Sequence, residues 1–131
     1  MSDEKIEQMI KEKGLDAPRV TPQLIEVKIV SCIFFSAEEG RLGAYKNNND
    51  VYRGTTPSDK DIVPLSLLTF CVLTLENGFT VTGESACASP ENFDAEVGRK
   101  AALNNAKSKI RALGGYLLRE KLYQGTLTDP A

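Results

Sequence analysis

Not one of the 131 residues is a histidine. Without imidazole there is no Ser-His or Cys-His activated nucleophile, no histidine general base, and no zinc centre that depends on one. The phosphate-cradling patterns are missing as well. No G-x-x-x-x-G-K-[ST] loop occurs, and no G-x-G-x-x-G follows a strand. Cys32, Cys71 and Cys87 are odd in number and lack metal-ligand spacing, which reads as three free thiols in a reducing compartment. No apolar run approaches the roughly 20 residues that span a bilayer. The opening MSDEKIEQMIKEKG has no apolar core of the signal-peptide kind. The net charge is −2, from 16 basic and 18 acidic residues, so the chain as a whole is not a polycation seeking nucleic acid. Asp94 and Glu84 could act as acid or base, but they read as a helix-start charge and an exposed strand residue. Catalysis is not expected, and neither a cofactor nor a metal is implied.

What remains is a chain for one modest core, 41% hydrophobic and 26% charged. The firmest local signal is a β-hairpin. Phe70 to Leu75 and Phe79 to Ser85 are rich in aromatic, β-branched and Thr residues, which suit a pleated surface. Asn77-Gly78 between them favours a two-residue turn, because both types tolerate positive φ. That turn places Leu75 opposite Thr80, Leu73 opposite Thr82 and Cys71 opposite Glu84. Phe70, Val72, Phe79 and Val81 then form the candidate core face. Leu73 and Leu75 lie among Thr and Glu on the other face. They need cover from the N-terminal part of the same chain or from a partner, so both are candidate partner-binding residues.

A long helix follows. Ser89 can cap it, Pro90 suits its first position, and Glu91, Asp94 and Glu96 favour the positive end of its dipole. Ala102, Leu103, Ala106, Ile110, Leu113 and Leu117 recur at helical spacing as one apolar stripe. Lys100, Asn104, Lys107 and Arg111 share another strip. Gly114-Gly115 marks an end or a kink.

Upstream, Asp3 to Lys13 can form a short helix closed by Gly14, and residues 1–20 comprise that helix and a linker. Thr21-Pro22 reads as a second helix start. Ser31 to Phe35 reads as a short buried strand. Residues 36–63 read as a polar insertion, a binding loop or a mobile one, carrying Tyr45, Tyr52 and Arg53 as candidate partner-binding residues. One domain over residues 21–122, with a frayed tail over 123–131, completes the organisation. The fold class is α+β. A small antiparallel sheet of about three strands packs on a long C-terminal helix and a shorter N-terminal one.

This element order is also that of double-stranded-RNA-binding domains, where lysines at the start of the final helix grip phosphate. Here that start is acidic, and the basic residues, with Arg99, Lys100, Lys107 and Arg111 the candidates for nucleic acid, come later. The segment TLENGFTVTGESA followed by NFDAEVGRKAALNNAKSKIRALGGYLLREKL resembles a family of small proteins of tailed bacteriophages, of podophage and lambdoid type. The resemblance covers Val72 to Leu122, with extra length in this chain between Phe35 and Ile62. It implies a non-enzymatic accessory protein made in the host bacterial cytoplasm. The leading expectation is a protein that binds and inhibits or modulates a host bacterial protein, in host takeover or anti-defence, with self-association as an accompanying option. A nucleic-acid-binding or annealing protein is the alternative, disfavoured by charge. An oligomeric protein sequestering a signalling nucleotide is the weaker one. No membrane partner is expected.

Overall fold

A computed structural model describes residues 3–48 and 57–128. The elements run α1 (Asp3–Glu12), α2 (Pro22–Lys28), β1 (Ile29–Ser36), α3 (Ala37–Asn48), α4 (Asp59–Leu65), β2 (Leu68–Leu75), β3 (Thr80–Ala86) and α5 (Ala95–Thr128). The strands form one antiparallel sheet in the order β1-β2-β3. The α+β class, the three strands, the long C-terminal helix and the N-terminal helices all stand as the sequence indicates. The insertion after β1 differs, since much of it is the two helices α3 and α4. Ser36 and Glu39 supply the reason. The Ser36 Oγ accepts from the Glu39 amide at 3.0 Å, and the Glu39 carboxylate accepts from the Ser36 amide at 2.9 Å, a reciprocal cap that starts α3.

The hairpin turn corrects the register. Gly78 N–H donates to the Leu75 carbonyl and Leu75 N–H donates to the Phe79 carbonyl, both at 2.8 Å, so Glu76, Asn77 and Gly78 form a three-residue loop. Gly78 sits at φ +88°, the position a turn-plus-bulge loop reserves for glycine. Every cross-strand partner therefore moves by one residue. Leu73 faces Val81, Cys71 faces Gly83 and Phe70 faces Glu84. Gly78→Val should cost on the order of 1 kcal/mol or more, because Val resists positive φ. Urea unfolding checks this, and an unchanged midpoint would remove the turn assignment.

The core lies between the sheet and α5. Cys71 and Leu73, both 0% exposed, join Val81, Ile25 of α2, and Ala102, Ala106 and Ile110 of α5. The predicted core face was thus the wrong one. Val81 belongs inside, while Phe70 and Val72 point to the opposite side. A stripe of increasing size, Gly98, Ala102, Ala106 and Ile110, lets the helix lie close on the sheet at one end and fill space at the other. A Cβ built on Gly83 would sit 2.1 Å from the Ala102 carbonyl oxygen and 2.4 Å from the Ala106 nitrogen. Strand and helix main chains therefore touch. Asn105 Nδ2 donates to the Glu84 carbonyl at 2.8 Å and fastens the same crossing.

At its two ends α5 departs from the sequence expectation. Pro90–Asn92 is a separate 3-10 turn, and α5 starts at Ala95, capped by Asp94, whose carboxylate accepts from the Val97 amide at 3.0 Å. Gly114-Gly115 neither ends nor breaks it. The helix runs on through Tyr123 to Thr128, where a frayed tail was expected. At 34 residues it is about 51 Å long and outruns the strands beneath it, β2 with eight residues and β3 with seven, each under about 28 Å. At the other terminus the Arg19 guanidinium clasps the Glu7 carboxylate at 2.7 and 3.3 Å, tying α1 to its linker.

Candidate functional site

The sheet has one face under α5 and one face away from it. Because side chains alternate, burial of Cys71 and Leu73 sends Phe70, Val72 and Thr74 to the far side. Register adds their neighbours there, Ile33 beside Val72 and Phe35 beside Phe70. The Phe35 and Phe70 rings stack at 5.6 Å between centroids and 35° between planes. Helix α3 covers one end of this face, with Gly40 beneath the Phe35 ring. Ile33 is 53% exposed, and Phe70 and Val72 are half-buried. The predicted short buried strand is therefore mostly exposed, since Val30 to Phe34 all face solvent at least in part. These side chains form a partly open apolar face of the sheet, and α5 also exposes apolar side chains, Val97, Leu113, Tyr116 and Leu117 among them.

Two of the predicted partner-binding residues are elsewhere. Leu73 is enclosed by α5 and offers no surface, and Leu75 packs half-buried against the same core. The cover is internal, as the sequence allowed, but comes chiefly from the C-terminal helix rather than from the N-terminal part. Tyr45 lies half-buried on α3 with the Arg41 guanidinium 6.0 Å from its ring centroid. Tyr52 and Arg53 fall outside the described residues.

The basic strip on α5 is largely neutralised by its own chain. Lys107 pairs with Glu26 of α2, and Lys100 pairs with Glu96 one turn back at 3.4 Å. Lys109 lies 3.9 Å from Glu84. Arg111 is half-buried. The preceding turn stays anionic, because the Ser89 hydroxyl donates to Glu91 and holds its carboxyl below the usual range. Arg99 stands apart from the strip. It lines a cleft where β1 runs into α3 and α5 begins, together with Phe34, Phe93, Ser36, Ser66 and Thr69. Two carboxylates, Glu38 and Glu39, line the same cleft, and Glu39 is engaged in capping α3. The cleft holds about 500 Å³, within the range of small-ligand sites. Sequence reasoning listed Arg99 among phosphate-gripping residues and did not place the rings of Phe34, Phe35 and Phe93 or the hydroxyls around it. They come from four separate elements, so no sequence spacing signals them.

Among the described residues no group of three or more His, Cys, Asp or Glu side chains gathers as a metal site. No helix among them is long and apolar enough to cross a membrane. A family model described as phage protein (N4 Gp49/phage Sf6 gene 66) family matches residues 20–122, from just before α2 to within the last turns of α5. No curated protein and no solved structure matches the chain.

Proposed function

The chain belongs to the phage protein (N4 Gp49/phage Sf6 gene 66) family, and from that premise we propose that it is a non-enzymatic accessory protein that captures a host bacterial protein and inhibits it by occupancy. The observation carrying this reading is the open sheet face of Ile33, Phe70 and Val72, backed by the stacked Phe35 and Phe70 rings. Contiguous apolar surface on a soluble fold tends to mark a protein contact, and aromatic side chains supply most of the energy of such contacts. A histidine-free chain whose strip lysines Lys100 and Lys107 are paired with its own carboxylates suits binding better than acid–base chemistry or phosphate gripping. The action takes place in the host cytoplasm, where three unpaired thiols persist.

A second reading rests on the cleft at Arg99. Rings on which a base can stack, a guanidinium for phosphate and nearby hydroxyls suit sequestration of a small nucleotide. The Glu38 and Glu39 carboxylates at the same cleft oppose an anion, which ranks this reading second.

Retention of host proteins on the tagged chain, with and without nuclease, tests the first reading. We expect a host protein held after nuclease treatment and lost with Ile33→Asp, whose exposed position spares the fold. Retention that needs nucleic acid, or that Ile33→Asp leaves unchanged, would overturn it. In the second case, loss with Arg99→Ala and release of a bound nucleotide on denaturation would move the function to the cleft.

A further inference from the structure

The sheet has two edges, β1 and β3, and they are built differently. The β3 edge is blunted. α5 crosses it main chain against main chain at Gly83, Asn105 donates to the Glu84 carbonyl at 2.8 Å, and Glu84 sets a charge on the strand itself. The β1 edge has none of these devices. Its residues, IVSCIFFS, include no charge and no proline. α5 lies over β3 and β2 rather than β1. Val30, Cys32, Ile33 and Phe34 are exposed, so both faces of the strand are open as well as its edge. Its register with β2 is irregular only between Ile29 and Ser31 and runs evenly from Ser31 to Ser36. Among the described residues, no main-chain bond beyond those to β2 engages Val30 to Phe35.

A strand bonded on one side turns alternate N–H and C=O groups outward, and only another extended strand completes that row. Edges that stay alone are interrupted by charge, proline or a covering element. We infer that β1 pairs edge to edge and antiparallel with β1 of a second copy of this chain, joining two three-stranded sheets into one. A copy fits because the strand is neutral throughout, so self-pairing sets no like charges opposite each other. The two-fold axis of such a pair stands perpendicular to the sheet and keeps each face with its like. Ile33 opposite the second copy's Ile33 meets that condition and aligns Val30 through Ser36. Cys32 then lies opposite the second copy's Phe34, on the side where α5 leaves β1 uncovered. That overlap exchanges about six to eight main-chain bonds, approaching the roughly ten of a typical protein interface. The Ile33, Phe70 and Val72 face stays open and is joined to its copy, so the pairing neither needs nor blocks capture of a host protein there.

Sedimentation of the whole chain under a thiol reductant should give twice the 14.3 kDa of one copy. Amide exchange reads the pairing itself. In the unaltered chain consecutive amides from Ser31 to Phe35 should all be protected, whereas a lone edge protects every second one. β3 should keep the alternating pattern. Cys32→Lys sets an edge lysine at an exposed position, on the opposite face from Ile33, and so leaves the capture face unaltered. It should keep a cooperative melt, sediment as one copy, and speed exchange of alternate β1 amides at least about tenfold. A one-copy mass for the unaltered chain at the concentration of the exchange measurement would overturn the pairing. So would a two-copy species whose alternate β1 amides exchange freely, or a Cys32→Lys variant that still sediments as two copies. Protection of β1 that arises only with a captured host protein would give the edge to that protein instead.

Discussion

Gly83→Ala is expected to destabilise the fold by about 3 kcal/mol or more, although it adds a single methyl group. The methyl meets main chain on both counts, the Ala102 carbonyl at 2.1 Å and the Ala106 nitrogen at 2.4 Å. No rotamer change can relieve that, so α5 must lift from β3. Lifting it opens the packing of Leu73 and Val81 and breaks the Asn105 bond to the Glu84 carbonyl. A domain of this size is stabilised by about 5–15 kcal/mol in all, so the loss should lower the melting temperature by on the order of 10 °C. Gly115→Ala is the matched control. It lies on the same helix with nothing within 4 Å of the new Cβ, and should gain up to about 1 kcal/mol from helix propensity. Equal melting of the two variants would mean that helix and strand do not touch at Gly83.

Leu73→Asp should leave no folded protein, whereas Val72→Asp, one residue away, should fold. Leu73 is 0% exposed, between sheet and helix. An aspartate there is held away from water among apolar side chains, at a cost of several kcal/mol added to the lost apolar burial of about 2 kcal/mol. Val72 stands half-buried on the far face, where a carboxylate reaches solvent. Circular dichroism and a thermal melt separate them. A cooperatively folded Leu73→Asp variant would place the core on the other side of the sheet.

Much of this architecture is legible in the residues, and the misreadings have local causes. Asn77-Gly78 correctly announces a hairpin, but the dipeptide alone does not separate a two-residue turn from a three-residue turn with a bulge. The choice shifts every partner by one, which is why β3 presents Val81 rather than Thr82 to Leu73. The apolar pattern held a clue, since only the longer turn gives Leu73, Cys71, Val81 and Gly83 one common, uniformly non-polar face. The capping pair Ser36 and Glu39 was likewise readable as the start of α3. Gly114-Gly115 misleads for a different reason. Helix propensity is weak per residue, and a helix already nucleated and docked upstream carries two glycines without breaking. The open face and the Arg99 cleft depend on which strands neighbour one another across tens of residues. Local pattern carries no such information.

The claim that the Ile33, Phe70 and Val72 face captures a host protein is met most directly by thiol labelling. Ile33→Cys and Leu73→Cys are placed singly in a chain already carrying Cys32→Ser and Cys87→Ser, and each is treated with a maleimide, free and in the complex retained from host lysate. In the free protein Ile33→Cys should react at once, while Leu73→Cys reacts only as the fold opens. In the complex Ile33→Cys should become protected as well. Labelling of Ile33→Cys at the same rate in the complex as in the free protein would contradict the account.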